Sequence, residues 1–191
     1  MMRTFLFGLI LFSYGCQPKP MDEAALMAFV KEEDNGLTKK VEYNDYKLEA
    51  AYKPTDLIVK HQMEKGTARE IDSLRKAYAP YLYFVLTVER EGKDLETGFA
   101  MDLGTFAEKI SYLSSSFSQS IVLATDAKTY SITDYLYTRS YGTSPSKFLV
   151  IFEKPTENNF ELVVEGHSLG FGKVKFPFTQ TDINKTPPLK L

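Results

Sequence analysis

Residues 166–176 read GHSLGFGKVKF, and the fold class turns on how the last six of them continue the first five. Gly166-His167-Ser168-Leu169-Gly170 fits G-x-S-x-G, the sharp strand-to-helix turn that presents a nucleophilic serine. Such a turn needs a strand before it and a helix after it. Phe160 to Gly166 alternates like a strand, but Phe171 to Phe176 alternates as well, with a period of two rather than 3.6. A triad in that setting also needs an acid and then a histidine downstream of the serine. Only residues 171–191 remain, with Asp182 as an acid and no histidine; the other histidine of the chain is His61. The stretch is therefore expected to be a loop between two strands, its glycines suited to tight backbone turns. A serine hydrolase using an Asp/His61/Ser168 triad in a different order is the alternative, and nothing in the sequence marks an oxyanion hole for it.

The flanking sequence continues the period of two. Strands are expected at Ile121–Ala124, Tyr130–Tyr137, Phe148–Glu153, Phe160–Glu165 and Val174–Phe178, separated by turn residues such as Thr125-Asp126 and Gly142-Thr143-Ser144-Pro145. Upstream, Val41 to Tyr52 alternates on both sides of Asn44-Asp45, a hairpin signal, and Tyr81 to Glu89 is a strongly apolar strand. Helices are expected in between. One starts after Asp22, with Leu26, Phe29 and Val30 on one face and Gly36 beyond its end. A second opens at Pro54-Thr55-Asp56 and breaks near Gly66, and a third runs from Arg69 to Tyr78 ahead of Pro80. Phe106, Ile110, Leu113 and Phe117 make the most amphipathic helix of the chain. The expected fold class is α+β, with a helical N-terminal part packed on an antiparallel sheet or small β-sandwich formed mainly by the C-terminal half.

The totals agree with one globular domain: 191 residues, 43% hydrophobic, formal net charge −2. Lys+Arg 23 against Asp+Glu 25 leaves no basic surplus for a nucleic-acid surface, so no nucleic-acid partner is expected. A single cysteine, Cys16, excludes an intrachain disulfide and a thiolate metal cluster.

The first twenty residues, MMRTFLFGLILFSYGCQPKP, have the parts of an export signal: Arg3, the apolar run Phe5–Phe12, then small residues at Ser13 and Gly15. As a helix the apolar run would be about 12 Å long, too short for a hydrocarbon core of about 30 Å. Ser13-Tyr14-Gly15-Cys16 resembles the lipobox of bacterial lipoproteins, in the looser form found in the Bacteroidota. The resemblance implies diacylation of the Cys16 sulfur, cleavage before it, and acylation of the new amino terminus. Acyl chains at about 0.8 kcal/mol per buried CH₂ turn a soluble domain into an anchored one. Ordinary secretion is the alternative, because Ser13-x-Gly15 also satisfies the small-x-small rule and would cut the same bond. The expected organisation is a signal peptide over 1–15, a lipidated tether over 16–21 and one α+β domain over 22–191.

Gln17 stands where the family's inner-membrane retention signal has Asp, so the resemblance implies the outer membrane, with the leaflet open. The order of parts also resembles small envelope lipoproteins of the Bacteroidota, carried by the hairpin leading into YKPTDLIV (52–59) and by VKFPFTQTDI (174–183). That family implies an address and a shape, and no reaction. The membrane is thus the expected partner, through acyl chains on Cys16, with an envelope protein or glycan as a further one.

Neither histidine has an acid partner that the sequence singles out for a metal site. The acidic run ending at Asp34-Asn35-Gly36 lacks the alternating ligands of a calcium loop, and no glycine-rich phosphate loop is present. No cofactor, metal or catalytic residue is expected. There remains TYSITDYLYTRSYG (129–142). Tyr135 and Tyr137 share a strand face that Arg139 continues, and with Tyr141 they make a candidate carbohydrate- or peptide-binding face. The plainer reading is a sheet face half buried under the Phe106 helix. The functional expectation is a non-enzymatic, lipid-anchored envelope domain that binds or supports.

Overall fold

A computed structural model describes residues 19–63, 67–99, 103–140 and 145–191. The expected export signal, Cys16 and Tyr141 lie outside the described residues.

Local chemistry sets most element boundaries. Helix α1 (Glu23–Lys31) starts where the Asp22 carboxylate accepts from Ala25 N at 2.8 Å. Gly36, at φ 71°, turns the chain toward β1 (Thr38–Tyr43). Asn44, at φ 53°, closes the tight turn to β2 (Tyr46–Tyr52), a conformation that Asn tolerates better than most residues. Pro54 stands just before α2 (Thr55–Gln62). A capping box between Thr67 and Glu70 opens α3 (Ala68–Tyr78), and Pro80 separates it from β3 (Tyr81–Arg90). The chain continues through α4 (Leu95–Phe99), α5 (Leu103–Ser114), β4 (Ile121–Ala124), β5 (Thr129–Ser131), β6 (Asp134–Thr138) and β7 (Ser146–Glu153). It ends with β8 (Asn159–Glu165), β9 (Lys173–Thr179) and α6 (Gln180–Asn184).

The class is α+β. The strands pair antiparallel throughout, in a five-stranded sheet of order β1-β2-β3-β7-β6 and a four-stranded sheet of order β5-β4-β8-β9. The C-terminal half supplies the whole smaller sheet and two strands of the larger one. The strand expected over Tyr130–Tyr137 is in fact two. It breaks at Ile132-Thr133, where Thr133 N bonds Ile151 O at 2.7 Å and the chain passes from the smaller sheet into the larger. The phase of the alternation shifts across the break: Tyr130 is buried before it, and Tyr135 and Tyr137 turn inward after it, an odd number of positions away.

The two sheets face each other. Phe84 of β3 reaches across to Phe178 of β9 (ring centroids 4.9 Å) and Phe160 of β8 (6.4 Å). Leu82, Phe84, Leu86, Phe148, Val150 and Phe152 point inward from the larger sheet and are all but fully buried. Ile110 and Leu113 of α5, with Phe117 just beyond it, extend the buried set; the Phe117 ring lies 5.1 Å from Phe148.

The outer face of the larger sheet is covered in part. Val30 O of α1 accepts from the buried Thr38 Oγ1 at 2.7 Å, and Tyr78 of α3 meets Tyr83 edge-on at 6.2 Å. Leu26, Leu57 and Leu189 form a separate buried cluster with Met21 against it. Met21 is held there by hydrogen bonds with Pro188 O (2.9 Å) and Lys190 N (2.8 Å). Beside them, Asp56 accepts two bonds from Arg75 (2.7 and 2.9 Å) and one from Leu189 N (2.8 Å). The entering chain, α2, α3 and the C-terminal tail therefore meet at one corner.

Candidate functional site

GHSLG lies in the connection between β8 and β9, where residues 167–169 make one short 3₁₀ turn and β9 begins at Lys173. A strand follows Ser168, not a helix, so the stretch does not form a nucleophile elbow. Its glycines serve packing. A Cβ on Gly166 would sit 2.0 Å from the Phe171 ring, and Gly170 takes φ 96° next to the Tyr46 hydroxyl, which donates to Leu169 O. His167 and Ser168 are exposed, and Lys109 Nζ donates to Ser168 O at 3.3 Å. His61 is exposed on α2. Among the described residues, no three His, Cys, Asp or Glu side chains are grouped to hold a metal ion.

The aromatic face expected on Tyr135 and Tyr137 points the other way. Both rings turn into the sandwich and stack on Phe148, with centroids 6.0 and 5.0 Å away. Tyr135 donates its hydroxyl to Leu113 O of α5, and Tyr137 donates to the carboxylate of Glu96. Burial raises both phenol pKa values, followed for Tyr137 by the bond to Glu96. Arg139 lies past the end of β6 and is exposed. An open ring-stacking platform on Tyr135 and Tyr137 is thus corrected to core packing, because the strand presents them to the Phe106 helix.

The Glu96 contact belongs to a polar cluster under α4. Asp94 accepts from Thr97 N (2.8 Å) and Ser140 Oγ (2.6 Å), and Ser146 Oγ accepts from Leu95 N (3.0 Å). Asp94, Glu96 and Ser146 are all buried. These bonds clamp α4 against β6 and β7.

An open concavity lies on the outer face of the larger sheet, a groove of about 570 Å³ between that face and helices α1 and α2. Ala51 of β2 and Val85 of β3 are cross-strand partners on its floor. Met27 of α1, 40% exposed, and Leu57 of α2 form the wall. Five lysines, three glutamates and the hydroxyl-bearing Thr87 and Tyr52 also line it. Lys40 pairs with Glu33 at 3.2 Å and Lys47 with Glu89 at 3.9 Å. Lys31, Lys53 and Lys147 pair with no carboxylate among the described residues.

The floor continues beyond the groove. Val85 pairs with Leu149 of β7, which pairs with Leu136 of β6, so Ala51, Val85, Leu149 and Leu136 form one outward row across four strands. Leu136 ends the row at the sheet edge, 59% exposed. Sequence reasoning missed this face because its parts come from distant segments. One signal was present: on the outward positions of β2, Lys47 and Glu49 give way to apolar Ala51 before Lys53.

No protein-family model, curated protein or solved structure matches this chain.

Proposed function

We propose that this chain is a lipid-anchored protein of the cell envelope, held at the outer membrane through Cys16, that works as a binding domain and not as an enzyme. The observation that carries the binding half is the outer-face groove, which combines an open apolar floor with three lysines that have no carboxylate partner among the described residues. Its volume falls within the range of small-molecule sites, about 300–1,000 Å³. The anchoring half rests on the export signal and Cys16 in the sequence. It fits the position of Met21, which fastens the end of the tether to the corner where Leu57 also lines the groove. No helix among the described residues is long and apolar enough to cross a membrane, so attachment falls to the segment ahead of Lys19.

Metabolic labelling tests the anchor. Palmitate is expected in the wild-type chain and absent from Cys16→Ala; incorporation that persists in the variant overturns it. A fluorophosphonate probe tests the other half. Labelling of the folded protein that Ser168→Ala abolishes would make the chain a serine hydrolase.

A further inference from the structure

The geometry points to a particular occupant of the groove: a long acyl chain with an acidic head group, its methylenes on the apolar floor and its head met by the rim lysines. This deepens the reading of the outer face as the binding surface and rests on it.

Size sets the class of ligand. A space of about 570 Å³ falls within the range of small-molecule sites. Shape and polarity narrow the class. The outward row Ala51–Val85–Leu149–Leu136 covers three inter-strand steps, about 14 Å, and no side chain in it offers a hydrogen bond. A sugar or peptide laid along that row would lose hydrogen bonds to water and gain none, while a polymethylene chain loses nothing.

Charge then selects the head group. The whole chain is formally −2, yet the groove is lined by five lysines against three glutamates. The surplus is two: Lys31, Lys53 and Lys147 have no carboxylate partner among the described residues, and Glu42 and Glu49 have no lysine or arginine partner among them. Lys53 is half-buried beside the floor, and its backbone N–H is tied to Tyr83 O at 2.7 Å, which fixes where its side chain starts. An anion there gains more than at a fully hydrated ammonium.

Placement supplies such a ligand. Met21 lies five residues after Cys16, so an anchored chain holds this corner within about 17 Å of its acyl chains.

The test uses the full chain bound to phosphatidylcholine vesicles, with a trace of palmitate carrying a diazirine in its tail. Cross-links are mapped by mass spectrometry. They are expected on the peptides that contain Ala51 and Val85, and they should be competed by palmitate but not by hexadecanol. The double variant Lys53→Ala/Lys147→Ala should lower the labelling about tenfold, as expected for two exposed charge contacts. Ala51→Trp should abolish it in protein that keeps the wild-type circular dichroism spectrum, because the indole would fill the floor of the groove. Equal competition by hexadecanol, labelling that survives Ala51→Trp, or cross-links confined to other peptides would each overturn the proposal. Cys16→Ala, assayed without vesicles, separates this idea from the anchor. Groove labelling on the released, folded variant supports the ligand on its own, and its loss there overturns the ligand whatever the anchor does.

Discussion

The two faces of the five-stranded sheet are built from alternate residues of the same strands, yet they serve opposite ends. Inward, Phe84, Phe148 and Phe152 are all but fully buried, and even the two tyrosines of edge strand β6 are drawn onto Phe148. Outward, Ala51, Val85 and Leu149 are only half-covered and Leu136 is open. A sandwich needs one apolar face per sheet to fold, and here that need is met wholly by the inner one. The outer face carries apolar residues that the fold does not consume. Helices cover it at Thr38, the β1 partner of Ala51, and at Tyr83, two residues along β3 from Val85, and the row from Val85 to Leu136 stays partly open.

If the inner face carries stability, the largest loss comes from emptying it. Phe84→Ala removes the ring that joins β3 to β8 and β9, at an expected cost of about 3–5 kcal/mol. Urea or thermal unfolding measures it, and a loss below about 1 kcal/mol would mean that the sheets do not lock together there. Next comes Tyr137→Phe, which keeps the ring on Phe148 but strips the buried Glu96 carboxylate of a donor. The expected cost is about 1–3 kcal/mol, and adding Glu96→Leu to the variant should recover part of it. If the second change only adds to the first, the two groups are not coupled.

The inner face was legible from the sequence to a degree that the outer one was not. Period-two alternation at Tyr46, Leu48, Ala50 and Tyr52 names core positions without any knowledge of pairing. The helices announced themselves as well, through Asp22, Pro54 and Pro80. Two things were not local. The crossing at Ile132-Thr133 shifts the phase of the alternation without saying which sheet each half joins, so Tyr130 and Tyr135, read as parts of one strand, belong to different sheets. The groove depends on register across β2, β3 and β7 and on where α1 and α2 settle, which no single segment encodes. The aromatic cluster misled for a related reason: Tyr on an edge strand suits binding and core packing equally, and only the position of α5 decides between them.

A smaller effect probes one of the places where a helix covers the outer face. Burial under Tyr78 pushes the Tyr83 phenol up to about 12, against about 10 in an unfolded chain. Between those values the unfolded chain gives up its proton first. The contribution to stability is therefore whole below pH 10 and is lost as the pH rises toward 12. Tyr135 and Tyr137 are raised in the same sense and extend the loss upward. Urea midpoints measured from pH 8 to 11 should be level and then fall, and the fall should be shallower in Tyr83→Phe. Equal slopes in the two proteins would mean that α3 does not cover that end of the sheet.

The smallest expected effect is the most telling about the contrast between faces. Leu136→Lys changes a large apolar residue in the middle of a strand, one position away from Tyr135 and Tyr137. On the inner face the same change would bury an unpaired charge and unfold the domain. On the outer face, at 59% exposure, it should cost no more than about 0.5 kcal/mol, the range of ordinary surface substitutions. A lysine on an edge strand also discourages pairing with another sheet, so solubility should hold or improve. Thermal unfolding and gel filtration of the two proteins side by side are sufficient to judge it. Matching curves and elution volumes leave Leu136 as surface that the folded monomer does not use. A loss above about 1 kcal/mol, or a shift from a larger species to a smaller one, would show that the outer row is already covered, by the chain's own packing in the first case and by a second copy in the other.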